Sequence, residues 1–210
     1  SERMSGLDGR WTRRWIEAVA AEVARRKLEL TALDRAIGDA DHGENLDRGF
    51  QAVLGRLEAL DDDATPGAVL KLVATTLIST VGGAAGPLYG TAFLKASMAA
   101  GDRAELDAAG LVQVLTAARD GIVARGKAEP GDKTMVDAWT PAVDAAAAAG
   151  DDVRAALEAA AAAAAEGAAA TEPLVAHKGR ASYLGERAIG HRDPGSESTS
   201  LMLRAAAETR

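Results

Sequence analysis

Apolar positions recur at helical spacing along nearly the whole chain. Trp15, Val19 and Val23 mark one face of a first helix, and Leu46, Phe50, Val53, Leu54 and Leu57 mark a second more strongly. Between them, Asp34 to Asn45 is interrupted by Gly38 and Gly43 and reads as an irregular connection, because glycine is poor in a helix interior. Thr65 and Pro66 have the form of an N-cap and first helical residue, opening a helix that runs to about Val81, where Gly82 and Gly83 stop it. The β-branched content of Lys71 to Val81 would also suit a buried strand. Pro87 starts the next helix, which ends near Gly101. Leu111, Val114, Leu115, Ala118 and Ile122 form the face of a fifth, terminated around Gly126.

After the Pro130-Gly131 turn, a sixth helix carries Met135, Ala138 and Trp139, with Pro141 expected to kink it. Asp152 caps a seventh, which runs through an alanine tract to about Ala170; the helix propensity of alanine and the Asp cap favour a packed helix over low complexity. The glycine-punctuated stretch from Lys178 to Gly195 is too long and polar for a plain connector, and a last helix through Leu201 and Leu203 follows it. The pattern therefore predicts an all-α protein of about eight helices, in one domain spanning 1–210. Ser1 to Arg3, ahead of Met4, read as a remnant of expression and carry no weight.

Composition sharpens this picture. With 48% hydrophobic residues but only 3% aromatic ones, the core must be built by helices packing closely on small side chains. Cysteine is absent, which leaves oxygen and imidazole as metal ligands and fits a reducing cytoplasm. No stretch of about 20 residues is continuously apolar, and the early arginines Arg3, Arg10, Arg13 and Arg14 do not suit a signal peptide, so neither a membrane span nor an export signal is expected. A net charge of -7 argues against a nucleic-acid surface. It does not exclude a nucleotide, since divalent cations can stand between two sets of negative oxygens.

Candidate chemistry begins at Asp34, Asp39 and Asp41. Their spacing cannot reach one face of a straight helix, so convergence needs the glycine-broken loop. Such a cluster either holds magnesium or calcium or is a solvated acidic turn whose carboxylates cap the next helix. An EF-hand is excluded, because Glu44 and Phe50 stand where its glycine and its bidentate glutamate belong. Gly121 to Ala128 only imitates a P-loop, lacking the magnesium-binding hydroxyl and following a helix rather than a strand. Gly82 to Gly86 either exposes N–H groups to an anion at a helix start or makes a tight interhelical turn, and the two are compatible. His42 reads as an orienting group rather than a ligand, an acid–base group or a phosphate acceptor. Trp11, Trp15 and Trp139 read as core, and Arg180 with the Asp193-Pro194-Gly195 turn supplies polar groups late in the sequence.

Four segments in order, LDRAIGDADHGEN at 33–45, GGAAGPLYG at 82–90, RGKAEPGDKTMVDAW at 125–139 and GRASYLGERAIGHRDPG at 179–195, resemble the nucleotide-binding L subunit of dihydroxyacetone kinases. The resemblance covers essentially the whole chain. It implies a barrel of eight antiparallel helices with ADP or ATP at one end, and two magnesium ions bridging its phosphates to Asp34, Asp39 and Asp41. It further implies that His42, Gly43, Glu44, Asn45 and Leu46 contact the nucleotide. Gly83 and Ala84 would offer backbone, Gly126 and Met135 border the base, and Arg180, Asp193, Pro194 and Gly195 close the far side. Two positions depart from the family pattern: Ala40 replaces a usual glycine, so the loop must tolerate a Cβ, and Ala85 replaces a frequent serine and is given no role.

The partners the resemblance implies are a sugar-binding subunit, whose histidine holds dihydroxyacetone covalently, and a phosphohistidine protein that recharges bound ADP, with a homodimer left open. The alternatives are the nucleotide domain of a kinase using free ATP on dihydroxyacetone or a related keto sugar, and a non-catalytic ADP-sensing module.

Overall fold

The computed structural model describes residues 6–37, 40–178 and 180–210, so Ser1 to Arg3, Gly38 and Asp39 lie outside the described residues. Local signals place most helix starts. Asp8 accepts from the Trp11 N–H at 2.8 Å and caps α1, Gly9–Arg25. Thr65 does the same for Ala68 at the start of α4, Pro66–Thr80, as do Asp107 for Gly110 in α6, Ala108–Gly126, and Asp152 for α8, Val153–Ala170. The remaining helices are α2 (Lys27–Ile37), α3 (His42–Leu57), α5 (Ala85–Ala100), α7 (Val136–Ala148) and α9 (Pro194–Glu208). A 3-10 helix, Arg180–Ala188, precedes α9. Strands β1, Leu7–Asp8, and β2, Glu105–Leu106, form a minimal antiparallel pair.

The all-α expectation holds, with local corrections. Helix α2 has no counterpart in the sequence pattern, because it buries only Leu30, Thr31 and Ile37 and leaves Leu28 exposed. Its last turn contains Asp34, so the irregular connection is shorter than Asp34 to Asn45. Lys71 to Val81 is helical apart from its last residue, the C-cap; Thr76 and Thr80 donate their hydroxyls to the carbonyls of Leu72 and Thr76, both at 2.7 Å. Helix α5 begins at Ala85, which puts Pro87 in the first turn, where its missing N–H costs no bond.

Helix α7 runs through Pro141 as one element. Proline there deprives the Asp137 carbonyl of its intrahelical partner. Gly167 of α8 packs directly on that carbonyl, where a Cβ would lie 2.1 Å from the oxygen. The alanine tract is packed helix: Ala156, Ala160, Ala161, Ala164 and Ala168 are buried in α8, and α7 brings Ala138, Ala142 and Ala146.

Helices α3 to α9 each pack on the next in sequence order, and α1 packs on both α3 and α9, closing the circuit; α2 lies against α3, α9 and the 3-10 helix. The core inside includes Ile16, Val19, Leu46, Phe50, Val53, Val73, Leu77 and Tyr89. Burying each of the larger apolar side chains contributes about 1.5–3 kcal/mol before entropy is counted. Trp11 and Trp15 stack with ring centres 5.8 Å apart inside this cluster, and Trp139 is buried too, as core rather than a platform.

Candidate functional site

Four helices start at one cavity of about 490 Å³. Its wall contains Asp41 and His42 at the start of α3, Ala84 and Ala85 at the start of α5, Met135 and Val136 at the start of α7, and Asp193 and Pro194 at the start of α9. Each helix N-terminus carries roughly half a positive charge and several N–H groups without helical partners. The N-cap residues of α3 and α5 make no capping bond through their side groups. Asp34 and Asp193 already cap the starts of α3 and α9, so among these ends it is α5, without a side-chain cap, whose N–H groups favour an anion, although the net charge of the protein is -7.

On one side stand Asp34 and Asp41, brought together by the break between α2 and α3. Asp34 Oδ2 accepts from the main-chain N–H groups of Asp41 at 2.8 Å and His42 at 3.1 Å, so this carboxylate fixes the start of α3 while lining the cavity. Capping and cation binding are compatible here. Among the described residues no group of three or more acidic or histidine residues could hold a metal. Asp39, the third expected carboxylate, lies outside them. An oxygen set of this kind suits magnesium, which takes one or two carboxylates and completes its shell with phosphate and water.

Ala40 sits at φ 67°, in the left-handed region that favours glycine, so the Cβ at this position is strained. Ala40→Gly is expected to raise stability by about 1 kcal/mol, read from urea unfolding. No gain would show that the loop relaxes its strain in solution.

Gly82, Gly83, Ala84 and Ala85 also line the cavity. Gly83 has φ 68°, and a Cβ on Gly86 would lie 2.2 Å from the Val81 carbonyl oxygen. The segment is therefore a tight turn that also brings the N-terminus of α5 to the cavity. A third wall is apolar, made by Pro87, Leu88, Ile122, Ala128, Met135 and Val136 beside Gly126, and suits a flat ring.

A buried polar network supports the floor. His42 Nε2 lies 2.9 Å from Ser198 Oγ, which lies 2.6 Å from the Tyr89 hydroxyl; Tyr89 also bonds Thr199 at 2.8 Å and donates to the Gly195 carbonyl at 3.0 Å. Burial pushes His42 down to about 4 against the pull of Asp34, so the imidazole is neutral near pH 7, which suits orientation. Asp193 is pushed up to about 7 by burial, opposed by its bonds to Ser196 and by Lys133.

The residues singled out by sequence divide clearly. Asp34, Asp41, His42, Asn45, Gly83, Ala84, Gly126, Met135, Asp193, Pro194 and Gly195 meet at the cavity. Three do not line it. Leu46 is fully buried in the core, Glu44 is exposed in the first turn of α3, and Gly43 packs on α2, where a Cβ would lie 2.0 Å from the Lys27 carbonyl oxygen. Arg180 opens the 3-10 helix, with its side group outside what the structure describes. Ala85, given no role from sequence, does line the cavity, as do Arg125, Lys133, Thr134, Lys178 and Ala181. Lys133 stands inside the 125–139 motif, and only its burial marks it out.

Known proteins resemble this one over nearly its whole length. The protein is 49% identical, over 92% of its length and 93% of the relative's, to the ADP-binding subunit of a PEP-dependent dihydroxyacetone kinase from Escherichia coli strain K12. It is 43% identical, over 96% of its length and 97% of the relative's, to the corresponding ADP-binding subunit of kinase 1 from Listeria innocua. The crystal structure of the dihydroxyacetone kinase from C. freundii in complex with AMP-PNP and Mg2+ superposes with a TM-score of 0.69 at 25% identity, covering 99% of this protein and 35% of that one. Residues 36–208 match the DAK2 domain, and the chain belongs to that family.

Proposed function

We propose that the protein is the ADP-binding subunit of a PEP-dependent dihydroxyacetone kinase, working in the cytoplasm. It would hold ADP or ATP through magnesium and pass a phosphoryl group to dihydroxyacetone carried by a sugar-binding subunit. The observation that carries this is the meeting of four helix N-termini with Asp34 and Asp41 around one cavity. The identities of 49% and 43%, over nearly the whole of both partners, to ADP-binding subunits of PEP-dependent kinases support the PEP-dependent branch over direct use of free ATP.

In this reading Asp34 and Asp41, with Asp39, hold two magnesium ions. Magnesium supplies neutralisation of the phosphate oxygens, the main requirement of phosphoryl transfer. The N–H groups around Gly83 and Ala84 position the phosphates, and the wall from Leu88 to Met135 and Gly126 shields the base from water. Neutral His42, held by Ser198, keeps the start of α3 in register. No protein nucleophile is needed, and activity would require the partner subunit.

The test follows the phosphate. ADP-loaded protein incubated with a labelled phosphohistidine donor and denatured in alkali is expected to release the label as ATP. Adding the sugar-binding subunit should then yield labelled dihydroxyacetone phosphate. Label retained on the protein and lost in His42→Gln would overturn the cofactor reading. Phosphorylation driven only by free ATP would place the protein in the ATP-exchanging branch, and nucleotide binding with no phosphoryl transfer would make it a sensing module.

A further inference from the structure

Lys133 is only 2% exposed, and its ammonium ends among main-chain carbonyls. Nζ donates to Ala188 O at 2.7 Å, Leu174 O at 3.1 Å and Glu172 O at 3.3 Å. An ammonium has three protons, and all three are used. The acceptors lie at both ends of the strap formed by residues 172–178 and 180–188, which supplies Lys178 and Ala181 to the cavity wall. Lys133 itself touches the cavity and directly precedes Thr134 and Met135, also in its wall.

The strap has little core of its own. Ala176 and Ala188 form a small cluster with Ile37, joined by Ala181 and Leu184, while Tyr183 is 85% exposed. Other ties among the described residues include His177 N–H to the Asp132 carbonyl at 3.2 Å, Gly190 N–H to the Glu172 carbonyl at 2.6 Å, and the Arg192 bridge between Glu172 and Glu197. Lys133 also holds a strained backbone at φ 64°, a conformation that persists only where its surroundings impose it.

We propose that Lys133 is a positioning residue: its ammonium clamps the two ends of this strap beside the cavity and sets how long nucleotide stays bound. It does not hold phosphate itself, because no proton of the ammonium is left to donate. The inference rests on the nucleotide-binding reading above for its kinetic part, whereas the clamp is a statement about this protein alone.

The experiment uses the 210-residue protein with magnesium and a fluorescent ADP analogue, and limited trypsin digestion without nucleotide. Lys133→Met is expected to release the analogue about tenfold faster, the effect of losing roughly one charged hydrogen bond's worth of constraint. Trypsin should cut the variant first at the exposed Lys178 and Arg187, with the helical circular dichroism unchanged. Because the sequence has no cysteine, Lys133→Cys can be alkylated with bromoethylamine at that site alone. This rebuilds a side group ending in an ammonium and should restore both slow release and protease resistance. Unchanged release and cleavage in Lys133→Met, global loss of helix in both variants, or no recovery on alkylation would each overturn the clamp. If the unmodified protein binds no magnesium–ADP, the functional reading fails, and the protease pattern with its rescue still decides the clamp.

Discussion

Asp41→Asn is expected to weaken magnesium-dependent ADP binding by about 100-fold or more, since even partners behind a metal ligand cost about 10–100-fold when removed. The substitution keeps the shape of the residue and deletes the charge that balances the cation. Asp41 makes no capping hydrogen bond to α3, whose first N–H groups are taken by Asp34. The helical signal should therefore be unchanged. Calorimetric titration of magnesium and ADP into both proteins measures the difference. Near-native affinity in Asp41→Asn would return the acidic loop to helix capping alone.

Magnesium and ADP together should raise the melting temperature by about 5–10 °C, whereas ADP with a chelator should do little. A ligand at 100 times its dissociation constant contributes about 2.7 kcal/mol, and a protein of this size gains about 2–4 °C per kcal/mol. The cavity draws on α3, α5, α7, α9 and the strap, so occupancy ties together elements from most of the sequence. The dependence on metal carries the meaning. An equal shift with and without magnesium would place the phosphates away from Asp34 and Asp41.

Much of the architecture is legible from local chemistry. Thr65 and Asp152 act as the caps their neighbours demand, and the face from Leu46 to Leu57 is the buried face of α3. Misreadings occur where local preference is weak. Helix α2 escapes notice because three buried residues leave almost no periodic signal, and α5 starts before Pro87 because proline marks a first turn rather than a first residue.

At the site the division is similar. Acidic and glycine-rich segments stand out in sequence, since clustered like charges and broken helices are costly without a purpose. Gly43 and Leu46 lie beside cavity residues in the sequence yet face α2 and the core, because successive positions on a helix point in different directions.

What the sequence by itself determined, then, is the helical class, the small-residue core and the acidic and glycine-rich breaks between helices, all of which depend on propensity, periodicity and composition. Only the tertiary structure decided that α3, α5, α7 and α9 begin at the same cavity, and that Lys133 points into three carbonyls rather than into water. Periodicity reports which face of a helix is buried but not against what. The convergence of helix ends and the fate of one ammonium group depend on contacts between residues distant in sequence, which no local pattern encodes.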